Sequence, residues 1–326
     1  MKGFYFINEE AEEVFDEEMY FEHKGDYPVV AWWSGGITSA VTCKLCIDIY
    51  GAENVRVVFI DTHNEHKDTY RFKKDCSEWY GIPIEVITGI GDNYKSIEDV
   101  WIKNKSLNVA KGAVCSSTLK ANVRKKWQKT NNYKAQAFGF DVDEVKRVKG
   151  MAINHPDSKP IFPLLMFGYN KQKCIEIVSE AGLDIPEMYR LGFNNNNCFG
   201  KSDESIGGCV QGGIGYWQKM SRDFPEKFKK MGEMEQKLTK LKGSPVTMLR
   251  DQSKGGGLVF LLPNADYPNL KDISMMKGRE PRPLADCNGF CGINDLSARS
   301  PTEKEINYQV DLFDEIESLG KLKSNK

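Results

Sequence analysis

The 326-residue chain contains no apolar run of the roughly 18 residues that a bilayer-spanning helix requires, so an integral helical membrane protein is not expected. Its opening stretch, MKGFYFINEEAEEVFDEE, turns acidic where a secretory leader would carry an apolar segment, which points to a cytoplasmic protein. An excess of charge of one sign is also missing. Lys and Arg number 45 against 46 Asp and Glu, a formal charge of −1, so no global field draws the chain to nucleic acid or to an anionic membrane. Nine cysteines are too sparse for a disulfide scaffold, and a reducing compartment would keep them as thiols or metal ligands. Internal repeats and low-complexity tracts are absent too. What remains, 40% hydrophobic and 28% charged, is the profile of a folded globular chain. At about 150 residues per domain, the length allows two domains or one elaborated domain.

Residues 1–26 gather carboxylates around Phe15, Tyr20 and Phe21 and read as an acidic N-terminal arm ending in the turn Gly25-Asp26-Tyr27-Pro28. From Val29 the pattern changes. VVAWW is an apolar run, Gly35-Gly36 punctuates it, residues 37–50 have helical length, and VRVVFID is a second apolar run, which together make a βαβ unit. A helix over 65–80, a strand at PIEVIT, a helix-rich stretch over 95–128 and a strand at AQAFGF continue the alternation. This predicts an α/β domain with a doubly wound parallel sheet over 27–168. Past Pro163 the alternation stops, leaving a helix over 171–182, an Asn and Gly-rich loop over 192–215, and a helical stretch ending near Lys242 that Pro225 should break or restart. With LVFLL, two late cysteines and an amphipathic tail, residues 169–326 read as a helical, cysteine-bearing extension.

Ser34-Gly35-Gly36-Ile37-Thr38-Ser39 lies where a parallel strand hands over to a helix, the position at which open α/β sheets bind ligands. Two glycines let backbone amides approach phosphate oxygens, Ser34, Thr38 and Ser39 offer hydroxyls, and the helix N-terminus adds a partial positive charge. The result is a phosphate cradle. No Lys follows the second Gly and no G-x-G-x-x-G is present, so kinase, GTPase and dehydrogenase readings are disfavoured.

SGGITS resembles the S-G-G-x-x-S pyrophosphate loop of the PP-loop adenine nucleotide α-hydrolases, a superfamily of HUP-like fold that includes N-type ATP pyrophosphatases and phosphoadenosine phosphosulfate (PAPS) reductases. After the second strand, Asp61-Thr62-His63 is similar to the reductase-type D-T-G segment, with His63 replacing the usual Gly. Cys115-Ser116-Ser117-Thr118-Leu119-Lys120 resembles the C-T-x-x-L-K segment of that branch, and Gly139 through Glu144 to Arg147 is similar to its G-x-x-x-x-E-x-x-R element. Pro163-Leu164, Tyr189-Arg190-Leu191-Gly192-Phe193 and Asn196-Asn197-Cys198 are similar to its P-L and Y-x-x-G-F-x-x-N-N-C segments. The ordered matches extend over residues 29–217, and looser similarity of the kind seen in phage and bacterial reductase-like proteins continues to the late cysteines. The resemblance implies that ATP or PAPS lies on Ser34, Gly35, Gly36, Thr38 and Ser39, with Asp61, Thr62, Gly139, Glu144 and Arg147 around it and Lys120 reaching a phosphate as a point charge. Asp61 is a nucleotide or magnesium contact. The E-C-G-L-H segment that carries the nucleophile of thioredoxin-dependent PAPS reductases has no counterpart in the sequence. Cys115, with Lys120 and Arg124 nearby to lower its pKa, is the substitute thiol.

Cys43 and Cys46 form C-x-x-C inside the helical apolar pattern of Ile37, Val41, Leu45 and Ile47, so core packing is expected, as it is for Cys76 and Cys174. Cys198, Cys209, Cys287 and Cys291 lie instead in loop-like segments, flanked by glycines that would let four thiolates converge. Four soft ligands suit a 4Fe-4S cluster or zinc; without metal they are free thiols or a redox pair. Cluster-bearing members of the resembling superfamily put iron-sulfur first. Lys120, Arg124, Lys125, Lys126 and Lys129 around Trp127 could meet a nucleic-acid backbone, but a solvated helix face is the simpler expectation. His63 and His66 with Asp61 and Glu65 occupy one short helix start, too little for a complete coordination sphere.

Three functions follow. With PAPS, thiol attack on sulfur would release sulfite and adenosine bisphosphate, with a thiol or sulfur donor protein as partner. With ATP, an acceptor oxygen would attack the α-phosphorus, pyrophosphate would leave, and the adenylated group, in a nucleic acid for example, would accept sulfur or nitrogen. The third is a nucleotide or nucleic-acid binding module without turnover. The oligomeric state is not set by the sequence.

Overall fold

The computed structural model describes residues 27–91, 93–109, 112–155, 158–196 and 198–281. The acidic arm, Cys287, Cys291 and the amphipathic tail lie outside the described residues.

Strands β1 (Val29–Trp33) and β2 (Val55–Asp61) are apolar and buried almost throughout, as strands covered on both faces must be. Helix α1 (Ile37–Tyr50) joins them and α2 (Asp68–Tyr80) leads to β3 (Ile84–Thr88), whose alternating burial marks a sheet edge. Helix α3 (Ile97–Asn104), capped by the Ser96 side chain, precedes an antiparallel ribbon of β4 (Asn108–Val109) and β5 (Gly112–Ala113). A continuous helical run follows: α4 (Val114–Ser116), a π turn over Ser117–Ala121, and α5 (Asn122–Thr130). Then come β6 (Gln136–Ala137), α6 (Val145–Asn154) and β7 (Pro160–Ile161).

The five-stranded sheet has the order β3-β2-β1-β6-β7 and every pairing is parallel. The chain steps outward through β2 and β3, then returns to lay β6 on the other side of β1. That reversal makes the carboxyl ends of β1 and β6 a topological switch point. The doubly wound α/β expectation holds. Strand β7 was not expected: Pro160 removes an amide and confines the segment to an edge, and two residues leave no periodic signal.

Helices α7 (Pro163–Met166), α8 (Lys171–Glu180) and α9 (Glu187–Arg190) follow. Cys174 and Val178 of α8 join the same core as Cys43, Cys46 and Cys76, so all four of those cysteines pack as expected, and burial pushes the Cys43, Cys46 and Cys76 thiols up. The second lobe holds α10 (Ile214–Asp223) and α11 (Pro225–Lys242), with Pro225 restarting the helix in the first-turn position where a missing amide costs nothing. Beside these helices stands a three-stranded sheet of β8 (Leu249–Arg250), β9 (Leu258–Phe260) and β10 (Lys271–Asp272), in the order β10-β9-β8. Glu235 on α11 anchors that sheet: its carboxyl accepts the amides of Met248 at 2.8 Å and Leu261 at 2.7 Å. One apolar cluster ties Trp101, Leu119, Phe193, Phe199 and Trp217 together, seating this lobe against the π turn.

Candidate functional site

The loop after β1 is shaped by Ser39. Its Oγ accepts the Ser34 amide and the Ser34 hydroxyl, both at 3.0 Å, and donates to the Gly36 carbonyl at 2.8 Å. The two serine hydroxyls therefore spend their protons inside the loop and fix its curvature. Gly36 stands at the N-cap of α1 and has no side chain to cap the first amides, so the positive end of the helix dipole faces the switch point without a capping carboxylate or hydroxyl of its own. Gly35 has φ +88°, the left-handed region that glycine tolerates. Across the switch point Gly139 follows β6, and a Cβ there would lie 2.8 Å from the Ser39 Cα and N. Its bareness lets the two strand ends close together.

The loop after β2 adds carboxylates. Asp61 accepts the Tyr70 hydroxyl at 3.0 Å and the His63 amide at 2.7 Å. Burial, then the neighbouring Asp61 charge, push the Tyr70 phenol well above its ordinary value and keep it a donor. His63 has φ +59°, so the residue that departs from the family glycine does adopt a glycine-like conformation. Thr62 donates to Glu65 at 2.9 Å, and Glu65 Oε1 lies 3.5 Å from Lys120 Nζ with both side chains buried. Lys120 sits on the π turn, where the Asn122 amide reaches the Ser117 carbonyl five residues back. Cys115 lies in α4, five residues before Lys120 and ahead of the π turn. Cys115 is half-buried against the second apolar cluster.

A strap running from α9 to Gly200 crosses both loops. The Tyr189 hydroxyl accepts the Ile37 amide at 3.2 Å, and Asn196 Nδ2 donates to the Gly35 carbonyl at 2.7 Å and to Thr69 Oγ1 at 3.1 Å. Next along the strap, Cys198 bridges Glu65 in antiparallel fashion, its Sγ lies 3.8 Å from Thr62 Oγ1, and the amides of Phe199 and Gly200 bond the Asn64 carbonyl.

Cys198 and Cys209 are brought to one place. The Gly208 amide bonds the Cys198 carbonyl, and Gly207 packs so closely that a Cβ would lie 1.9 Å from the Phe199 carbonyl oxygen. The Tyr216 hydroxyl accepts the Cys209 amide at 3.0 Å, and its phenol is raised by burial, then by Cys209, with Cys198 adding to the effect. Among the described residues no three His, Cys, Asp or Glu side chains gather as metal ligands would. Of the four candidate thiols, Cys287 and Cys291 lie outside the described residues.

The remaining expectations fall elsewhere. Glu144 ion-pairs with Arg147 and completes a capping box with Asp141, while the Arg147 guanidinium stacks 4.4 Å over Phe140, so both residues build the turn after β6. Trp127 packs edge-on against Trp32 at 5.5 Å, with Arg124 buried and Lys125, Lys126 and Lys129 exposed, which is the solvated helix face. A groove of about 390 Å³ lined by Val41, Lys44, Trp79, Tyr169 and Ile177 lies along α1 and α8, and none of the loop residues contributes to it. Tyr70 had no role in the sequence reading, Tyr189 and Asn196 stood inside quoted motifs without a role of their own, and Glu65 was weighed only as a metal ligand and set aside, not as the partner of Lys120.

Residues 28–202 match the family model described as the phosphoadenosine phosphosulfate reductase domain. An uncharacterised protein of Methanocaldococcus jannaschii is 26% identical over 211 residues, covering 62% of this chain, and the chain spans 40% of that relative's length. Among solved structures, a phosphate complex of phosphoadenylyl-sulfate reductase from Candida auris is similar at 14% identity and a TM-score of 0.40, covering 60% of this chain and 97% of that one. No helix among the described residues is long and apolar enough to cross a membrane.

Proposed function

The chain belongs to the phosphoadenosine phosphosulfate reductase domain family, and from that premise we propose that it is an enzyme that holds an adenine nucleotide, PAPS or ATP, with its phosphates at the Ser34–Ser39 loop and acts in sulfonucleotide reduction or sulfur transfer. The observation that carries this reading is the N-terminus of α1, which lies at the switch point of the sheet and has no side-chain cap from Gly36. Asp61, Thr62, Gly139 and the Glu144–Arg147 turn frame the nucleotide, and Lys120 compensates phosphate charge. With PAPS, the Cys115 thiolate would attack sulfur, adenosine bisphosphate would leave, and a second thiol from a donor protein would release sulfite and form a disulfide. Cys198 and Cys209, with Cys287 and Cys291, are the donors we assign to a thiolate metal centre, whether iron-sulfur or zinc; such a centre would supply electrons or a structural staple. Trp127 is spent in the core, so the basic helix offers no aromatic for base stacking and nothing there favours a nucleic-acid acceptor.

Titration calorimetry with PAPS and with ATP tests the reading. Ser34→Ala/Ser39→Ala should weaken the preferred nucleotide by at least about tenfold, because the loop loses the two hydroxyls that hold its curvature. Equal affinity in the double variant, or no nucleotide binding by the unaltered chain, would sink it. Iron, zinc and sulfide content of anaerobically purified protein, compared with a Cys198→Ala variant, decides the metal.

A further inference from the structure

Asn196 is held entirely by its nitrogen. Both hydrogens of Nδ2 are used, one on the Gly35 carbonyl at 2.7 Å and one on Thr69 Oγ1 at 3.1 Å. Its Oδ1 is buried and has no hydrogen-bond partner among the described residues. A carbonyl can only accept, so the contact with Gly35 fixes which end of the amide faces the loop. At Gly35, with φ +88°, a Cβ would lie 2.9 Å from Thr69 Cγ2 and 3.3 Å from Asn196 Nδ2, so the glycine is pressed against the two side chains that grip it. Glycine-rich peptides flip easily, and nothing in Gly35 or Gly36 themselves chooses an orientation. The peptide between them is trans, so drawing the Gly35 carbonyl toward Asn196 turns the Gly36 N–H the opposite way. If that peptide flipped, a carbonyl dipole would replace an amide donor at the mouth of α1. Two residues on, the Ile37 amide is met by Tyr189 from the same strap.

We propose that Asn196 is a positioning residue of the phosphate loop, whose amide nitrogen locks the Gly35–Gly36 peptide so that the Gly36 N–H faces the bound anion. This rests on the reading that the loop binds phosphate, and it adds a residue contributed about 160 positions along the chain from the loop itself. Asn196→Asp is the informative variant because it keeps the size and replaces the gripping nitrogen by an oxygen that repels the Gly35 carbonyl. Asn196→Ala removes the grip without repulsion.

The experiment is amide NMR on the ¹⁵N-labelled full chain, titrated with inorganic pyrophosphate. In the unaltered protein the Gly36 and Ile37 amides should move on binding. In Asn196→Ala the affinity for pyrophosphate should fall about tenfold, as expected for one lost hydrogen bond to a charged group, and further in Asn196→Asp. The Gly36 response should disappear while the amides of β1 and β2 keep their positions, a pattern that general loss of structure would not give. Affinity within twofold of the unaltered protein overturns the proposal, and so does weakened binding in which Gly36 still responds as before. If the unaltered chain binds neither pyrophosphate nor nucleotide, it is the functional reading that fails. The lock is then judged on the ligand-free proteins, where an unchanged Gly36 resonance in Asn196→Asp overturns it.

Discussion

Lys120 and Glu65 form a buried ion pair, with Nζ 3.5 Å from Oε1 and 6% and 3% of the side chains exposed. The Thr62 hydroxyl donates to the same oxygen, so one carboxylate joins the loop after β2 to the π turn. A lysine that the sequence offers as a phosphate contact thus has its charge partly matched by a carboxylate of the chain itself.

Removing one member of such a pair strands a charge, at a cost of about 3–5 kcal/mol, whereas removing both costs much less. Glu65→Met and Lys120→Met should each lower stability by that amount in urea unfolding, and the double variant should recover a large part of it. Additive losses would show that the two side chains are not coupled.

Gly139→Ala should destabilise by about 1–3 kcal/mol, because the new methyl would press on the Ser39 backbone, which cannot swing away. Nucleotide affinity should fall with it, since Ser39 organises the loop. Calorimetric melting and nucleotide titration on the same sample check both; an unshifted melting temperature refutes the close approach.

At position 63 the backbone is left-handed, φ +59°. His63→Gly should therefore be neutral or stabilise by up to about 1 kcal/mol, while His63→Val should lose about 1–2 kcal/mol. Thermal unfolding of the two variants distinguishes this from a role for the imidazole, which would penalise both alike.

Burial pushes the Glu235 carboxyl up to about 8 from its ordinary value of 4.5, against two backbone amides that favour the charged form. The folded chain then binds a proton that the unfolded chain has released, so stability should fall as pH rises from 4.5 to about 8, by at most about 1.4 kcal/mol per pH unit. Glu235→Gln removes that slope, and by turning an NH2 toward a backbone amide it costs about 1–3 kcal/mol at pH 5. Urea unfolding across this pH window measures both; parallel slopes in the two proteins would contradict the raised carboxyl.

The sheet and its loop could be read in the sequence because VVAWW and VRVVFID are apolar runs separated by a glycine pair and one helix length. Ribbon β4–β5 and strand β7 could not, because two-residue strands carry no periodicity and Pro160 argues against a strand. The core cysteines were legible through their helical spacing. Glu65 was not, since a charge in a short loop looks solvated until its partner on a distant π turn is known. Tyr189 and Asn196 show the same limit, for their targets lie about 150 residues earlier and no local pattern links them.

That separation gives the molecule a developmental order. β1 pairs with β2 across a single helix, yet the Ile37–Tyr189 and Gly35–Asn196 contacts close loops of 152 and 161 residues, and such closures come late in folding. A nascent chain can pair β1 with β2 while the loop after β1 still lacks its Tyr189 and Asn196 contacts, which wait on a segment synthesised after the last strand of the sheet. Pulsed hydrogen exchange during refolding should find β1 protected before Gly36, and simultaneous protection would reverse that order.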